Sequence, residues 1–235
     1  SFDEDTSTSI SVSGSDVDGD ALTFSITGGS HITATLDGSD ITFTAAANFN
    51  GSETFTITIT DGELTDLQTI TTTVNPVNDA PIATTGLSGI TNEDQDVVIS
   101  LSGSDIDGDN LTFTLESNAT HGSVSIEGSL ATYTPDENYN GDDSFIFTVS
   151  DGVLSDTASV TLTIDPVNDA PVFVDTILDQ EIDEDTQFSY EIFAYDVDGD
   201  AVSYSVEVVD NNVAVWFIDN MLNALPDPNW FGDTS

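Results

Sequence analysis

Apolar and polar residues alternate with period two along most of the chain. In its central stretch Val97, Ile99 and Leu101 alternate with small or polar residues. Leu111, Phe113 and Leu115 do the same, followed by Val124 and Ile126, then Ala131 and Tyr133. Phe145, Phe147 and Val149 come next, then Ala158, Val160, Leu162 and Ile164. Alternation of this kind, interrupted by Gly, Asp and Asn, predicts half-buried strands, and no helical stripe competes with it. With a leading strand near 82–90, the stretch holds seven short strands rich in Thr and Val. That pattern predicts an all-β fold of antiparallel, seven-stranded Greek-key β-sandwiches.

The pattern repeats. Asp16-Val17-Asp18-Gly19-Asp20 returns as Asp105-Ile106-Asp107-Gly108-Asp109 and as Asp196-Val197-Asp198-Gly199-Asp200. Asn75-Pro76-Val77-Asn78-Asp79-Ala80-Pro81 returns as Asp165-Pro166-Val167-Asn168-Asp169-Ala170-Pro171. Glu4, Glu93 and Glu184 each stand 12 residues before a DxDGD block, and Asp61-Gly62 matches Asp151-Gly152. A period near 90 residues signals a tandem array. It divides the chain into repeat 1 (1–78, its first strand missing), repeat 2 (79–168, complete) and repeat 3 (169–235, its last two strands missing). A sandwich without two strands exposes an edge and a core, so repeat 3 is not expected to fold alone. Either the 235 residues are a window on a longer polypeptide or another chain donates strands.

Composition narrows the function. There are 44 Asp plus Glu, two His, and no Lys, Arg or Cys, for a formal net charge of −44. Nucleic acid and anionic lipid are held through Lys and Arg, so neither is an expected partner. Zero Lys excludes Schiff bases; zero Cys excludes disulfides, thiol catalysis and thiolate zinc sites. No apolar run approaches the length of a membrane helix, so no membrane insertion is expected. The 37% of hydrophobic residues supplies cores, yet the charge density approaches that of disordered chains. An external cation neutralising the carboxylates reconciles the two.

The acids recur at fixed points. Asp105 and Asp107, two apart on an extended segment before Gly108, can aim oxygens at one place. Many hard oxygen donors without Cys select Ca2+ over zinc, copper or iron, and over Mg2+, which retains its waters. An EF-hand is excluded by Ala21, Asn110 and Ala201 at the sixth loop position, where that motif needs Gly, and by the lack of flanking helices.

The order Glu, DxD, Asp-Gly and Asn-Asp-Ala-Pro resembles cadherin repeats, and more closely the bacterial cadherin-like repeats of giant RTX-type surface adhesins. The resemblance covers nearly the whole chain and implies calcium bound between successive repeats. At the first junction it implies Glu4, Asn78, Asp79, Asp105, Asp107 and Asp151 as ligands; at the second, Glu93, Asp136, Asn168, Asp169, Asp196 and Asp198. Asp16, Asp18 and Asp61 would face a junction upstream, and Glu184 and Asp227 one downstream. Repeat 1 has Ala45-Ala46 where repeat 2 has Pro135-Asp136, so its junction is expected to hold fewer ions.

Other features read as structural. His31 and His121 occupy corresponding places and are expected to be turn residues. Phe49, Tyr139 and Trp230 sit in matching Asn-aromatic turns and are expected to plug the sandwich end, with sugar stacking the sharper alternative. Trp216 and Phe217 belong to a core strand across 213–218. No G-x-S-x-G elbow or paired base accompanies the many Ser and Thr, so no enzyme is expected. The resulting expectation is a secreted or cell-surface adhesin segment, stiffened by calcium between neighbouring repeats. The alternatives are a filament or sheath subunit contacting other copies of the chain, and a carbohydrate-binding module.

Overall fold

A computed structural model describes residues 1–208 and 212–232. Among the described residues it contains 21 strands and no helix. Repeat 1 comprises β1 (Phe2–Asp3), β2 (Ser7–Ser11), β3 (Thr23–Gly28), β4 (Ile32–Asp37), β5 (Asp40–Ala45), β6 (Gly51–Thr60) and β7 (Thr65–Asn75). They form two sheets, β1-β7-β6-β3 and β2-β5-β4. Ile32, Ile41, Phe43, Phe55 and Val74 are buried between them, with Phe2 closing one end.

Repeat 2 follows the same plan. Its strands are β8 (Ile82–Ala83), β9 (Leu87–Asn92), β10 (Val97–Ser100), β11 (Gly103–Ser104), β12 (Thr112–Ser117), β13 (Gly122–Glu127), β14 (Leu130–Pro135), β15 (Gly141–Ser150) and β16 (Ser155–Asp165). Sheet β12-β15-β16-β9 faces sheet β10-β14-β13, and β8 pairs separately with β11. Every second residue of the long β15/β16 hairpin points inward, so Phe145, Phe147, Val149, Val160, Leu162 and Ile164 are almost wholly buried against Tyr133 and Ala131. Gly128 (φ 60°) and its counterpart Gly38 (φ 62°) occupy the first position of the two-residue loops joining β13 to β14 and β4 to β5. A left-handed residue there matches the twist of the flanking strands.

Three details depart from the expected pattern. The leading strand near 82–90 is two strands: Gly86 (φ 77°) bends the chain between β8, which pairs with β11, and β9, which joins the β12-β15-β16 sheet. The sandwiches are not wholly antiparallel, because β9 runs parallel to β16 and β1 parallel to β7. Repeat 1 also keeps the end of its opening strand, since Phe2 and Asp3 pair with Val74 and Asn75 as Thr91 and Asn92 pair with Ile164 and Asp165.

In repeat 3, β17 (Val172–Phe173) pairs with β19 (Ala194–Tyr195). β18 (Phe188–Glu191), β21 (Met221–Pro226) and β20 (Val213–Ile218) form the counterpart of the β10-β14-β13 sheet. Trp216 and Phe217 lie on β20 and are only half-buried. Residues 203–208, the counterpart of β12, form no strand. In repeat 2 that segment is held by β15, and no described residue of repeat 3 takes the part of β15.

Candidate metal centres at the two linkers

Both linkers begin where the last long strand of a sandwich ends beside its opening strand. The Glu4 N–H donates to Asn75 O at 3.0 Å and the Glu93 N–H to Asp165 O at 2.9 Å, carrying the parallel pairing one residue further. These bonds turn the two glutamates inward, leaving Glu4 3% and Glu93 2% exposed. One oxygen of each caps the linker backbone: Val77 N–H donates to Glu4 Oε1 at 2.6 Å, and Val167 N–H to Glu93 Oε1 at 2.5 Å. The other Glu4 oxygen is buried without a hydrogen-bond partner, whereas Glu93 Oε2 accepts a long bond of 3.4 Å from Asn140 Nδ2.

The DxDGD blocks present oxygens from the opposite side. Asp105 Oδ1 gathers the N–H groups of Asp107, Gly108 and Asp109 at 2.9, 3.0 and 3.3 Å, which leaves Oδ2 buried and unpartnered. Asp16 and Asp196 fold their own loops in the same way, through the N–H groups of Asp18 and Asp20 and of Asp198 and Asp200. The linker residue between the two halves is tied to the second of these loop acids. The Asp79 N–H donates to Asp107 Oδ2 at 2.8 Å, and the Asp169 N–H to Asp198 Oδ2 at 2.7 Å. Asn78 Nδ2 reaches Asp151 Oδ2 at 2.8 Å.

Carboxylate oxygens of Glu4, Asp79 and Asp107 therefore lie within 4.8 Å of one another, as do those of Glu93, Asp169 and Asp198, and those of Asp105, Asp107 and Asp109. With no Lys or Arg in the sequence and neither histidine among them, these groups repel one another. Asp79 is pushed above the usual carboxylate range, first by burial and then by Asp107, Asp5, Glu4 and Asp105. Asp169 is pushed up by burial and then by the equivalent set, Asp198, Asp94, Glu93 and Asp196. Asp151 is instead held low by the Asn78 amide and the N–H groups of Val153 and Leu154.

The donor set fits a hard divalent cation. It consists of oxygens alone, and Glu4 Oε2, Asp79 Oδ2, Asp105 Oδ2 and Asp169 Oδ2 are buried lone pairs with no donor. Buried polar groups are ordinarily satisfied, and a cation satisfies several carboxylates at once.

Other predicted positions fall elsewhere. Asp136 is exposed and outside the Glu93 cluster; it stands in the turn between β14 and β15, where its N–H donates to His121 O. Asp227 repeats that turn through Asn212 O. Glu184 is exposed, unlike Glu4 and Glu93, and no described linker backbone donates to it. Asn168 Nδ2 bonds Asp169 O and has no counterpart of Asp151 among the described residues. Asp16 and Asp61 line one cleft of repeat 1, and Asp18 stands in its adjoining loop, where its N–H donates to Asp16 Oδ1. Sequence reasoning missed Asp5, Asp94 and Asp109. Asp5 and Asp94 adopt positive φ (58° and 59°) and accept the Asn48 and Asn138 N–H groups, tying the glutamate turns to the loops between β5 and β6 and between β14 and β15. The recurring Glu-Asp pairs at 4–5, 93–94 and 184–185 were the available signal.

The aromatic turns are partly covered. His31 stacks on Phe49 at 4.8 Å and His121 on Tyr139 at 4.1 Å, with ring planes within 7° of parallel. One face of each ring that would otherwise meet a sugar is thus taken by an imidazole.

The bacterial Ig domain family matches residues 1–73 and 78–163, one stretch for each of the first two sandwiches. The chain belongs to this family. No match is found among curated proteins. Among solved structures, human protocadherin-24 EC1-2 (form II) has a TM-score of 0.46 at 13% identity over 67% of this chain and 88% of that one. An endo-fucoidan hydrolase of glycoside hydrolase family 107 has a TM-score of 0.36 at 19% identity. That alignment takes in 94% of the chain but only 37% of the hydrolase, so the chain spans little more than a third of its length. The titin I-band fragment I67-I69 has a TM-score of 0.35 at 12% identity over 97% and 85% of the two chains. No helix of the described residues is long and apolar enough to cross a membrane.

Proposed function

We propose that this bacterial Ig array is a non-enzymatic extender segment of a large surface or secreted adhesin, in which calcium bound at each linker fixes one sandwich against the next. The observation carrying this reading is the recurrence of one carboxylate set at both linkers. Glu4, Asp5, Asp79, Asp105 and Asp107 match Glu93, Asp94, Asp169, Asp196 and Asp198, with buried lone pairs that no protein donor meets. Bacterial Ig-like domains occur in surface proteins, which supports the setting. Each set combines a glutamate from one sandwich, an aspartate from the linker and loop acids from the next.

The chain's own residues divide the work. Glu4 and Glu93 hold the linker backbone with one oxygen and offer the other. Asp107 and Asp198 hold the linker aspartate's N–H, aiming its carboxylate at the same point. Bound calcium supplies positive charge that turns mutual repulsion into shared attraction. A cation that binds only the assembled junction transfers its binding free energy to that arrangement. Modules of this extracellular kind bind calcium at about 10⁻⁴ to 10⁻³ M, so external calcium would load them.

Small-angle scattering tests the reading. With millimolar calcium the chain should give a narrow, extended distance distribution that broadens on adding chelator. An Asp79→Asn, Asp169→Asn chain should stay broad in both. An unchanged distribution on chelation would reject calcium stiffening.

A further inference from the structure

The two sandwiches treat the side where one sheet gives way to the other differently. In repeat 2, β12 is bulged, its register against β15 shifting between Leu115 and Ser117. Asn118 then lies along the outer edge of β13, where its Oδ1 accepts the Val124 N–H at 2.9 Å and its Nδ2 donates to Gly122 O at 3.4 Å. Bulges and covered backbone groups keep a sheet edge from pairing with another chain.

Repeat 1 has neither device. β3 pairs with β6 without a shift from Thr23 to Gly28, and counting back from His31 and His121 puts Gly28 where Asn118 stands. β4 ends its sheet, and among the described residues no strand pairs with its outer side. The Ala46 N–H donates to His31 O, and Asp37 pairs with Asp40 across the two-residue loop, so residues 31, 33, 35 and 37 bond to β5. The N–H and C=O groups of Ala34 and Leu36 therefore point outward, while the Ile32 N–H is taken by Glu53. The strip is also uncharged. Residues 21–36 contain no Asp or Glu, the longest such run in the chain, whereas the matching stretch of repeat 2 carries Glu116.

We propose that the outer edge of β4 docks the same edge of a second copy of this chain, antiparallel about a two-fold axis through Thr35. Ala34 of each copy faces Leu36 of the other as a hydrogen-bonded pair, which makes four backbone bonds from groups otherwise left to water. Thr33 falls opposite Asp37, so no acid meets an acid, and the apolar faces of the two strands stay on one side of the joined sheet. Charge selects a second copy as the occupant. A basic partner is drawn to carboxylates, whereas two molecules of net charge −44 approach most easily along a strip that carries none. This docking needs no cation and stands apart from the calcium reading above.

The sequence has no Cys, so single cysteines report the register. Thr35 faces its own copy across the axis as a non-hydrogen-bonded pair, with Cα atoms about 4.5 Å apart and within disulfide reach. The two copies of residue 33 stand four residues out of register, about 13 Å apart. Under mild oxidation the Thr35→Cys chain should therefore form disulfide dimers at least about tenfold faster than the Thr33→Cys chain. Sedimentation of the unaltered chain should show its mass rising from one copy toward two between micromolar and millimolar concentration, in calcium and in chelator alike. Ala34→Pro removes an outward N–H, and Thr35→Asp sets like charges on the axis at an exposed position; each should leave the chain monomeric. Ser125→Asp, the counterpart in repeat 2, should leave association unchanged. Equal crosslinking from residues 33 and 35 overturns the register and the proposal with it. A chain that is monomeric at every concentration, or dimers that persist in Thr35→Asp, overturns the β4 edge as the contact. Dimers formed in calcium but not in chelator would assign the contact to the linkers and overturn edge docking.

Discussion

Single residues in this chain do with backbone N–H groups what Lys and Arg do elsewhere. Glu53 is the fullest case: it accepts the Ser30 hydroxyl at 2.6 Å and the N–H groups of Ser30, His31 and Ile32, each at 2.9 Å. These bonds, the Ser30 hydroxyl above all, outweigh burial and hold its carboxyl far below the usual range. A depressed folded pKa means that the unfolded chain binds more protons in acid. The stabilisation is therefore complete above the ordinary carboxylate pKa of about 4.3 and is lost as pH falls through and below it. Glu53→Gln should lower stability by about 1–3 kcal/mol at neutral pH and flatten the acid limb of a stability–pH curve. An acid limb identical to that of the parent chain would show that Glu53 is not its source. Asp94 invites a different experiment, because its positive φ and its bond to the Asn138 N–H are separable. Asp94→Gly relieves the backbone and removes the bond; Asp94→Ala removes the bond and strains the backbone. If the carboxylate belongs to the second cation pocket, both should weaken calcium binding there by roughly fivefold, with the first linker unchanged in calorimetry. Glycine restoring full affinity would reduce the residue to a turn former.

At the scale of elements, period-two alternation exposed nearly every strand of repeat 2, because a sheet with one buried face writes its burial directly into residue order. Val97 to Leu101 and Phe145 to Val149 are of this kind. What alternation does not encode is which sheet a strand joins. The stretch 82–90 has β-rich residues throughout, yet Gly86 breaks it so that β8 pairs with β11 while β9 joins the larger sheet, parallel to β16. Parallel neighbours so far apart in sequence leave no local signature. The linker clusters were legible in part: DxDGD and Asn-Asp-Ala-Pro repeat visibly, so Asp79, Asp107, Asp169 and Asp198 could be named. Asp136 could not be placed, because a turn's exit direction depends on its dihedral angles rather than its composition. The recurring Glu-Asp pairs mark Asp5 and Asp94, but residue order carries no sign of the positive φ (58° and 59°) that each adopts. The crossover yields its own prediction. An added Cβ at Gly86 meets nothing within 4 Å, so Gly86→Ala is a purely conformational cost at φ 77°. It should amount to about 1–2 kcal/mol in repeat 2 denaturation, with repeat 1 unaffected. A neutral result would mean that the crossover backbone relaxes to negative φ.

At the scale of the whole molecule, the fixed charge of −44 and the arrangement of the sandwiches become one problem. The outward positions of β6 and β7 are mostly hydroxyls, with Ser52 bonded to Thr73 at 2.9 Å and Thr54 facing Thr71. Much of the acid density therefore falls at the ends of each sandwich, where neighbours meet. Repulsion concentrated at hinges is screened by monovalent salt over about 10 Å at 0.1 M, a length comparable to the width of a linker cluster. Bound calcium acts differently, since it sits between the carboxylates rather than around them. In chelator, the radius of gyration should therefore shrink as sodium chloride rises, because screening lets the hinges fold back. In saturating calcium it should stay constant across the same salt series. The Asp79→Asn, Asp169→Asn chain should show the salt dependence in both buffers, weakened by the two charges removed. A chain whose dimensions respond equally to salt with and without calcium would place its stiffness in the proline-flanked linker backbone, and the clustered carboxylates would then contribute solubility alone.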